Sequence, residues 1–362
     1  MTRTPLVSVL MGVYDAERYL EEAVDSLLAQ TFTEFEIVFV DDGSSDGSAA
    51  ILAAYDDPRI RILRNRENLG LPASLNRGLE AARAEWIARL DADDVAEPRR
   101  LERQVAEMRR RPELDVLGSW TVEIDERGEE IGSFSFPGSE SLILWAMART
   151  NVVYHPTVLM RRRILDRVGG YHDVDCADDY DLFTRILMAG GRVDILPERL
   201  VRYRRSPGQI SARRVERQLE QARAIRGRYV RWLAGEDAAP PVVEASAALQ
   251  APGAAPPAPE LLRAALGLQL AVREGAVARA ERPDRTLVES HARSALLSHV
   301  EKLRAAGRTC DAAAVWHAAL RSGAGWRDAR VARQALGLLK SALVGAFSTG
   351  EKASGYPFQG ED

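Results

Sequence analysis

Short apolar runs alternate with amphipathic stretches over the first hundred residues, and this alternation restricts the folds open to the chain. The four runs read LVSVLM (6–11), FEIVFV (35–40), RIRIL (59–63) and WIARL (86–90). Between the first two, apolar residues from Leu20 to Leu28 recur at helical spacing. Buried strands joined by helices form a mostly parallel sheet covered by helices on both faces, and such sheets bind ligands at the carboxyl ends of their strands. The sequence therefore predicts a Rossmann-like α/β fold.

The pattern changes after residue 112. We predict a hairpin over residues 114–137, helices over 141–148 and 180–190, a strand over 155–162, and two short strands within 191–205. The regular alternation of strand and helix therefore ends after the first hundred or so residues.

Composition divides the whole chain into five predicted segments. They are an α/β domain that carries all the motifs (1–211), a helical extension (212–234), an Ala/Pro-rich linker (235–260), a small helical domain (261–347) and a flexible tail (348–362). The helical regions beyond 211 are rich in Ala, Leu and Arg and carry no recognisable chemistry.

Bulk composition excludes several classes of protein. An apolar content of 46% supplies an ordinary core, and a formal charge of −4 gives no indication of nucleic-acid binding. Two cysteines, Cys176 and Cys310, have no zinc-site spacing. No apolar run reaches the roughly 20 residues of a membrane span, and the N-terminus is not typical of a signal peptide. We therefore expect a cytoplasmic protein, with peripheral association at the inner face of the membrane left open.

Two acidic clusters follow predicted strands. In VFVDDGSSDGS (38–48), Asp41 and Asp42 can accept hydrogen bonds from a base or sugar, or the segment is a solvated loop that caps a helix. In LDADDVAEP (90–98), an extended backbone would place Asp91 and Asp93 on one side and turn Asp94 away. The alternative is an acidic turn whose last Asp caps the helix that starts near residue 98. Each cluster alone leaves both interpretations open.

Several motifs occur in a specific order, and together they resemble the family 2 glycosyltransferases, which have the GT-A fold. The matching segments are 7–32, EIVFVDDGSSD (36–46), 67–94, HPTVLMRR (155–162) and ADDYDLFTRIL (177–187). They span roughly residues 6–211, more than half of the chain. The resemblance implies a GT-A catalytic domain over 1–211 and a transferase that acts on nucleotide sugars.

The resemblance also implies roles for particular residues. Asp179, with Asp178 beside it, would be the catalytic base, and Asp93 with Asp91 would bind Mn²⁺ or Mg²⁺ on the diphosphate. The donor nucleotide would contact a set of residues from several loops: Val13, Tyr14, Asp15, Asp41, Asp42, Arg77 and Asp91. Candidates for contacts to the diphosphate or the acceptor are His155, Arg204 and Arg205, and Arg89 is a further candidate for phosphate.

The predicted reaction is an inverting transfer of one sugar from a nucleotide-diphosphate sugar, with a UDP-sugar as the first choice, to a hydroxyl acceptor. The acceptor can be a glycan, a lipid-linked oligosaccharide or a protein, in cell-surface polysaccharide biosynthesis. Processive relatives carry Gln-x-x-Arg-Trp, whereas this chain has Arg228 at the first position, so we expect a non-processive enzyme. Alternatives are a sugar-nucleotide nucleotidyltransferase, and a non-catalytic scaffold that acts through its C-terminal helices. In the transferase, we expect the C-terminal helices to serve in homodimerisation or in docking on a partner or acceptor.

Overall fold

The computed structural model of the protein describes residues 4–174, 176–206, 215–235, 237–250, 257–308 and 311–316. Contacts divide the chain into two compact units. The first comprises Met1–Trp232 and Ala278–Pro283, and the second comprises Leu233–Val277 and Asp284–Asp362.

The first four apolar runs form four neighbouring parallel strands, as the sequence predicts. They are β1 (Val7–Val13), β2 (Phe35–Asp41), β3 (Ile60–Arg64) and β4 (Trp86–Arg89). Their order is β3-β2-β1-β4, with Val7 opposite both Phe35 and Trp86. Their carboxyl ends therefore meet at one edge, which is where both acidic clusters begin.

Helices cover both faces of this parallel half because side chains alternate along each strand. The connecting helices are α1 (Leu20–Leu28), α2 (Ser48–Ala53) and α3 (Leu71–Ala81). Val9 of β1 and Phe39 of β2 share a core cluster with Leu27 of α1. The residues of opposite parity face α3, where a Cβ on Gly78 would lie 3.2 Å from Val40 Cγ2. The absent side chain of Gly78 thus lets α3 lie close against the sheet.

The second half of the unit extends the sheet in mixed orientation. Its elements are β5 (Val95–Ala96), α4 (Arg100–Arg110), β6 (Val116–Ile124), β7 (Glu130–Phe134), α5 (Glu140–Met147), a 3₁₀ turn (His155–Thr157), β8 (Leu159–Arg161), α6 (Arg162–Val168), α7 (Asp178–Met188) and β9 (Val193–Arg204). The nine-stranded sheet continues from β4 as β8-β6-β9-β5, with β7 paired to β6. Strand β8 is antiparallel to both β4 and β6.

Two local predictions in this half are wrong. The segment HPTVLMRR is a 3₁₀ turn followed by the short strand β8, because Pro156 has no N–H to give to a ladder. The two short strands expected within 191–205 are one strand, β9, whose pairing with β6 shifts register on either side of Trp120. The register shift accommodates residues that interrupt the alternating pattern of β9, and the sequence-based prediction took this interruption for a turn between two strands.

The remaining helices are α8 (Val215–Ala234), α9 (Pro240–Gln250), α10 (Pro259–Arg279) and α11 (Arg285–Ala305). Helix α8 belongs to the first unit, where Tyr229 donates to the Leu144 carbonyl at 3.0 Å. In the second unit, Leu249, Leu297 and Val300 are among the buried residues of a separate core.

The prediction of a linker over 235–260 is wrong for α9, in which the two prolines stand in the first turn, where proline is compatible with a helix. The expected helical region beyond 316 and the tail 348–362 lie outside the described residues. Across the described part of the chain, every helix is too short or too polar to cross a bilayer.

Candidate active site

The loop after β1 is joined to the loop after β2 by hydrogen bonds, so the predicted nucleotide residues are brought together. The Asp42 N–H donates to the Val13 carbonyl at 2.8 Å. Asp15 Oδ1 accepts from the Ser45 N–H at 2.8 Å, and Asp15 has a φ of 46°. Aspartate is one of the residues that tolerate this left-handed conformation. Tyr14, which is 51% exposed, lies between Val13 and Asp15, directly after the end of β1.

The carboxylates of Asp41 and Asp42 are buried and are used within the chain. Asp41 Oδ1 accepts from the Ser44 N–H at 2.9 Å. Asp42 accepts from three donors: Asn65 Nδ2 at 2.6 Å, the Leu69 N–H at 2.9 Å and the Gly70 N–H at 2.9 Å. Asp42 therefore anchors the segment that enters α3, a role that the sequence analysis missed.

Arg77 is exposed on α3, beside the same loop. Its guanidinium donates to the Arg64 carbonyl at 2.8 Å and also contacts Asn65 Oδ1. Since Asn65 bonds Asp42, the structure links Arg77 to the predicted nucleotide wall. Asn65 itself was not identified from the sequence.

The segment after β4 is a turn, not the extended chain that we expected. The Asp94 N–H donates to the Asp91 carbonyl at 3.3 Å, which closes the turn over Ala92 and Asp93. Asp91 and Asp93 remain partly exposed, whereas Asp94 is completely buried. Burial, with the charges of Asp93 and Asp91, raises the pKa of Asp94 well above its usual value. The turn therefore separates two accessible carboxylates from an inaccessible one.

The alternative interpretation of Asp94 as a helix cap is also wrong. Helix α4 begins at Arg100, and its N-cap residue Arg99 makes no side-chain cap. Asp94 Oδ1 instead accepts from the backbone N–H of Arg204, the last residue of β9, at 2.8 Å. The buried carboxylate thus attaches the acidic turn to a strand that is distant in sequence.

The arginines predicted to bind phosphate are largely committed to the protein. Arg204 is buried, and it donates to the Asp93 carbonyl at 2.8 Å and to Glu22 Oε2 at 2.5 Å. Arg205 pairs with Glu123 at 2.6 Å. Arg204 therefore supports the backbone of the acidic turn, where the sequence analysis placed a diphosphate contact.

Arg89, at the end of β4, is completely buried and lies between the two acidic groups of the site. Its guanidinium contacts the Leu90 carbonyl and Asp91 Oδ1. Although burial opposes its charge, the carboxylates around it, including Asp91 and Asp178, raise the pKa of Arg89. Arg89, a phosphate candidate from its sequence position, is therefore an internal cation that offsets these carboxylates.

Asp178 and Asp179 lie in the first turn of α7, as predicted. Burial and the neighbouring Asp179 carboxylate raise the pKa of Asp178 to about 7. Burial, together with the charge of Asp91, raises the pKa of Asp179 to about 6. Asp178 Oδ2 is a buried atom without a hydrogen-bond partner among the described residues. Asp178 is therefore poorly compensated, and both carboxylates can exchange protons near neutral pH.

The start of α7 is held by its third aspartate. Asp181 accepts from Arg185 Nε at 2.6 Å and from Arg228 Nη2 of α8 at 2.5 Å. Arg185 also donates to the Val168 and Gly170 carbonyls. Asp181 is thus a structural carboxylate, and Arg228 helps to hold the acidic helix start.

His155 lies in the interior of the protein. Its ring is 7% exposed, Nε2 lies 2.9 Å from the Tyr171 hydroxyl, and the ring packs edge-on against Phe183. Burial, and to a lesser extent the Arg89 guanidinium, lowers the pKa of His155 well below its usual value. The structure thus shows His155 as a neutral, hydrogen-bonded core residue, whereas the sequence analysis offered it as a contact to the diphosphate or the acceptor.

Asn151 is a site residue that the sequence analysis missed. Its Nδ2 donates to Asp179 Oδ2 at 2.8 Å. The only local signal is its position four residues before His155 in the segment NVVYHP. A single asparagine in a loop does not reveal which distant side chain it reaches.

The described residues contain no group of three or more His, Cys, Asp or Glu side chains placed to hold a metal ion. Asp91 and Asp93 are two partly exposed carboxylates and do not form a complete set of metal ligands among the described residues.

Comparison with known proteins identifies the class of enzyme. The amylovoran biosynthesis glycosyltransferase AmsE of Erwinia amylovora is 33% identical over 214 residues, which cover 58% of this chain and 80% of AmsE. The O-antigen biosynthesis glycosyltransferase WbnJ of Escherichia coli is 31% identical over 203 residues, which cover 55% of this chain and 79% of WbnJ. The protein is a glycosyltransferase. More particularly, residues 8–169 match the model of glycosyl transferase family 2, and the chain belongs to that family.

A solved structure supports the fold independently. S. aureus TarS 1–349 in complex with UDP-GlcNAc aligns with a TM-score of 0.53 at 20% identity, and the alignment covers 89% of this chain and 93% of TarS 1–349. At this identity the likeness concerns the fold alone. It agrees with the GT-A resemblance seen in the sequence.

Proposed function

We propose that this glycosyltransferase moves one sugar from a nucleotide-diphosphate sugar to a hydroxyl acceptor, with inversion and with the help of Mn²⁺ or Mg²⁺. The observation that carries the proposal is the proximity of two acidic groups from different elements. Burial is the main cause of the raised pKa values of Asp178 and Asp179 at the start of α7, and the charge of Asp91, in the turn after β4, raises both further. A donor-binding carboxylate and a base-like carboxylate therefore belong to one site.

The donor is proposed to lie over the carboxyl ends of β1 and β2. TarS has been solved with UDP-GlcNAc and with UDP, which makes a UDP-sugar the first donor to test. The exposed ring of Tyr14 offers a flat surface for a nucleobase, and Asp15 lies next to it. Arg77 stands at the edge of the same surface as an exposed cation.

The chemistry of the acidic turn fits a hard divalent cation. Asp91 and Asp93 are partly exposed carboxylates, and Mg²⁺ and Mn²⁺ are bound through oxygen, commonly by one or two carboxylates plus substrate phosphates. Asp93 would hold the ion, with Asp91 beside it. Bound there, the ion would neutralise the charge that develops on the leaving diphosphate.

Asp179 is proposed as the base. The acceptor hydroxyl gives its proton to the Asp179 carboxylate while its oxygen bonds the anomeric carbon. The bond from that carbon to the diphosphate breaks at the same time, and its electron pair leaves with the nucleoside diphosphate. Because attack and departure occur on opposite faces of the sugar, the configuration inverts. Asp179 is favoured over Asp178 because the residue as a whole keeps some exposure to solvent, whereas Asp178 is buried.

The names of the relatives indicate a biological setting for the proposed reaction. AmsE and WbnJ are named for amylovoran and O-antigen biosynthesis, so we propose a cell-surface polysaccharide as the product. The acceptor would be a glycan, free or lipid-linked, and the enzyme would work in the cytoplasm or at the inner face of the membrane. The second unit would serve in dimerisation or in docking on a partner.

The decisive experiment screens the purified protein against UDP-, GDP- and dTDP-sugars, with and without Mn²⁺, and measures the nucleoside diphosphate released to water or to added glycans. We expect Mn²⁺-dependent release from one group of donors. Asp93→Asn should remove most of this activity and weaken Mn²⁺-dependent donor binding, since an amide is a poor ligand for a hard cation.

Asp56→Asn is the matched control, because Asp56 is an exposed aspartate before the amino end of β3. It should retain wild-type release. Equal donor binding by calorimetry in Asp93→Asn and wild type, at every Mn²⁺ concentration, would overturn the assignment of Asp93.

A further inference from the structure

We infer that Asn151 is a positioning residue that fixes the orientation of the Asp179 carboxylate for proton abstraction. This inference rests on the proposed function, in which Asp179 is the base. It adds a residue outside the acidic motifs, carried by the loop between α5 and the 3₁₀ turn.

The orientation of the Asn151 amide is determined by the backbone. Asn151 Oδ1 accepts from the Val153 N–H at 3.0 Å, two residues along the same loop. Because that oxygen is engaged by a donor, the amide nitrogen is the atom that faces Asp179, and Nδ2 donates to Asp179 Oδ2 at 2.8 Å. Asn151 can therefore hold the carboxylate only as a donor.

The other oxygen of Asp179 is held by its own helix. Asp179 Oδ1 accepts from the Tyr180 N–H at 2.6 Å. With one donor on each oxygen, the carboxylate plane is fixed, and each oxygen keeps acceptor capacity in the remaining directions. A base that is held in this way loses little orientation entropy when the acceptor binds.

The electrostatic setting explains why such a donor is needed. Burial and the charge of Asp91 disfavour the ionised form of Asp179, and the hydrogen bond from Asn151 is one of the contacts that lower its pKa again. Hydrogen bonds to the charged form of a carboxylate favour ionisation. Asn151 thus supports the form that can accept a proton.

A second contact joins α7 to the end of α5, just before the loop that carries Asn151, and provides the control. The Tyr180 hydroxyl donates to the Met147 carbonyl at 2.6 Å. Tyr180→Phe removes this side-chain contact and keeps the backbone N–H that donates to Asp179 Oδ1. If Asn151 only fastened the loop to the helix, losing either link would have the same consequence.

The test compares Asn151→Ala, Asn151→Asp and Tyr180→Phe with wild type, using the UDP-sugar that the wild-type protein hydrolyses fastest with Mn²⁺. Rates of UDP release give kcat and KM, calorimetry gives donor affinity, and thermal melting verifies folding. Asn151→Ala should lower kcat roughly 10- to 100-fold with donor affinity within about threefold, the scale of a misplaced catalytic group. Asn151→Asp keeps the shape and the Val153 contact but loses the donor, so it should lose at least as much. Tyr180→Phe should keep kcat within about threefold.

A double variant completes the test. In the Asp179→Asn background, Asn151→Ala should cause little further loss, because the group that it positions has already been removed. Wild-type kcat in Asn151→Asp, equal losses in Asn151→Ala and Tyr180→Phe, or fully additive losses in the double variant would each overturn the inference. If Asp179→Asn itself retained wild-type UDP release, the proposed base would fail first, and that result is separate from the behaviour of the Asn151 variants.

Discussion

The loop after β2 and the start of α7 both crowd carboxylates together, yet they treat them in opposite ways. Asp42 accepts three hydrogen bonds from the chain itself. Asp178, by contrast, is buried beside a second carboxylate, and one of its oxygens has no hydrogen-bond partner in the described part of the chain. A carboxylate surrounded by donors is stabilised as an anion and shapes the backbone, whereas burial beside other carboxylates raises the pKa values of Asp178 and Asp179 and makes the pair available for proton transfer. Acidic residues that look alike in the sequence therefore have different roles, one structural and one chemical.

The largest expected effect is the loss of turnover when Asp179, at the start of α7, is replaced. Asp179→Asn should lower turnover by on the order of 10² to 10⁴, the range of general base catalysis, while donor affinity stays within a few-fold. Titrating the donor into the variant and then measuring UDP release with saturating substrate separates the two quantities. If Asp178→Asn is inactive and Asp179→Asn remains active, the base is the first carboxylate of the pair.

The next largest effect is the loss of stability when Asp42, in the loop after β2, is replaced. Asp42→Ala leaves the donors of Asn65, Leu69 and Gly70 without their acceptor, so the free energy of unfolding should fall by about 2 to 4 kcal/mol. Urea denaturation measures the change. Asp56→Ala is the control, because the Asp56 carboxylate is exposed and its loss should cost well under 1 kcal/mol. Similar losses in both variants would remove the distinction between a saturated and an exposed carboxylate.

The third prediction concerns pH. The base acts only when ionised, and the pKa of Asp179 is raised to about 6, so kcat/KM should rise with pH through that region. Activity should fall about tenfold for each pH unit below it. A profile that stays flat from pH 7 to pH 5, with the protein still folded, would exclude both raised carboxylates from the chemistry.

The smallest effect is a gain in stability. A folded-state pKa raised to about 7 means that the native protein binds a proton at Asp178 more tightly than the unfolded chain does. This contribution stabilises the fold at low pH and is lost as the pH rises through the raised value. Asp178→Asn should therefore stabilise the protein by on the order of 1 kcal/mol at pH 8 and by less at pH 5. Equal melting shifts at both pH values would contradict this sign.

Much of the site could be located from sequence because it depends on local patterns. The parallel half of the sheet follows from the apolar runs, and the carboxyl ends of β1, β2 and β4 meet at one edge by topology alone. The acidic start of α7 was also predictable, since Asp178 and Asp179 precede a helical apolar pattern. Of the five cationic or imidazole candidates, Arg89, Arg204 and His155 are buried and bonded within the protein.

The sequence by itself determined the strand and helix order of the first hundred residues, the family and the positions of the acidic clusters, because periodicity and motif spacing are local properties. Only the tertiary structure decided which donors each carboxylate meets. Asp94 meets the backbone of Arg204 and Asp179 meets Asn151, contacts across 110 and 28 positions of the chain. The energy of a buried charge depends on the donors that folding brings to it, and no local pattern records which distant donors those will be.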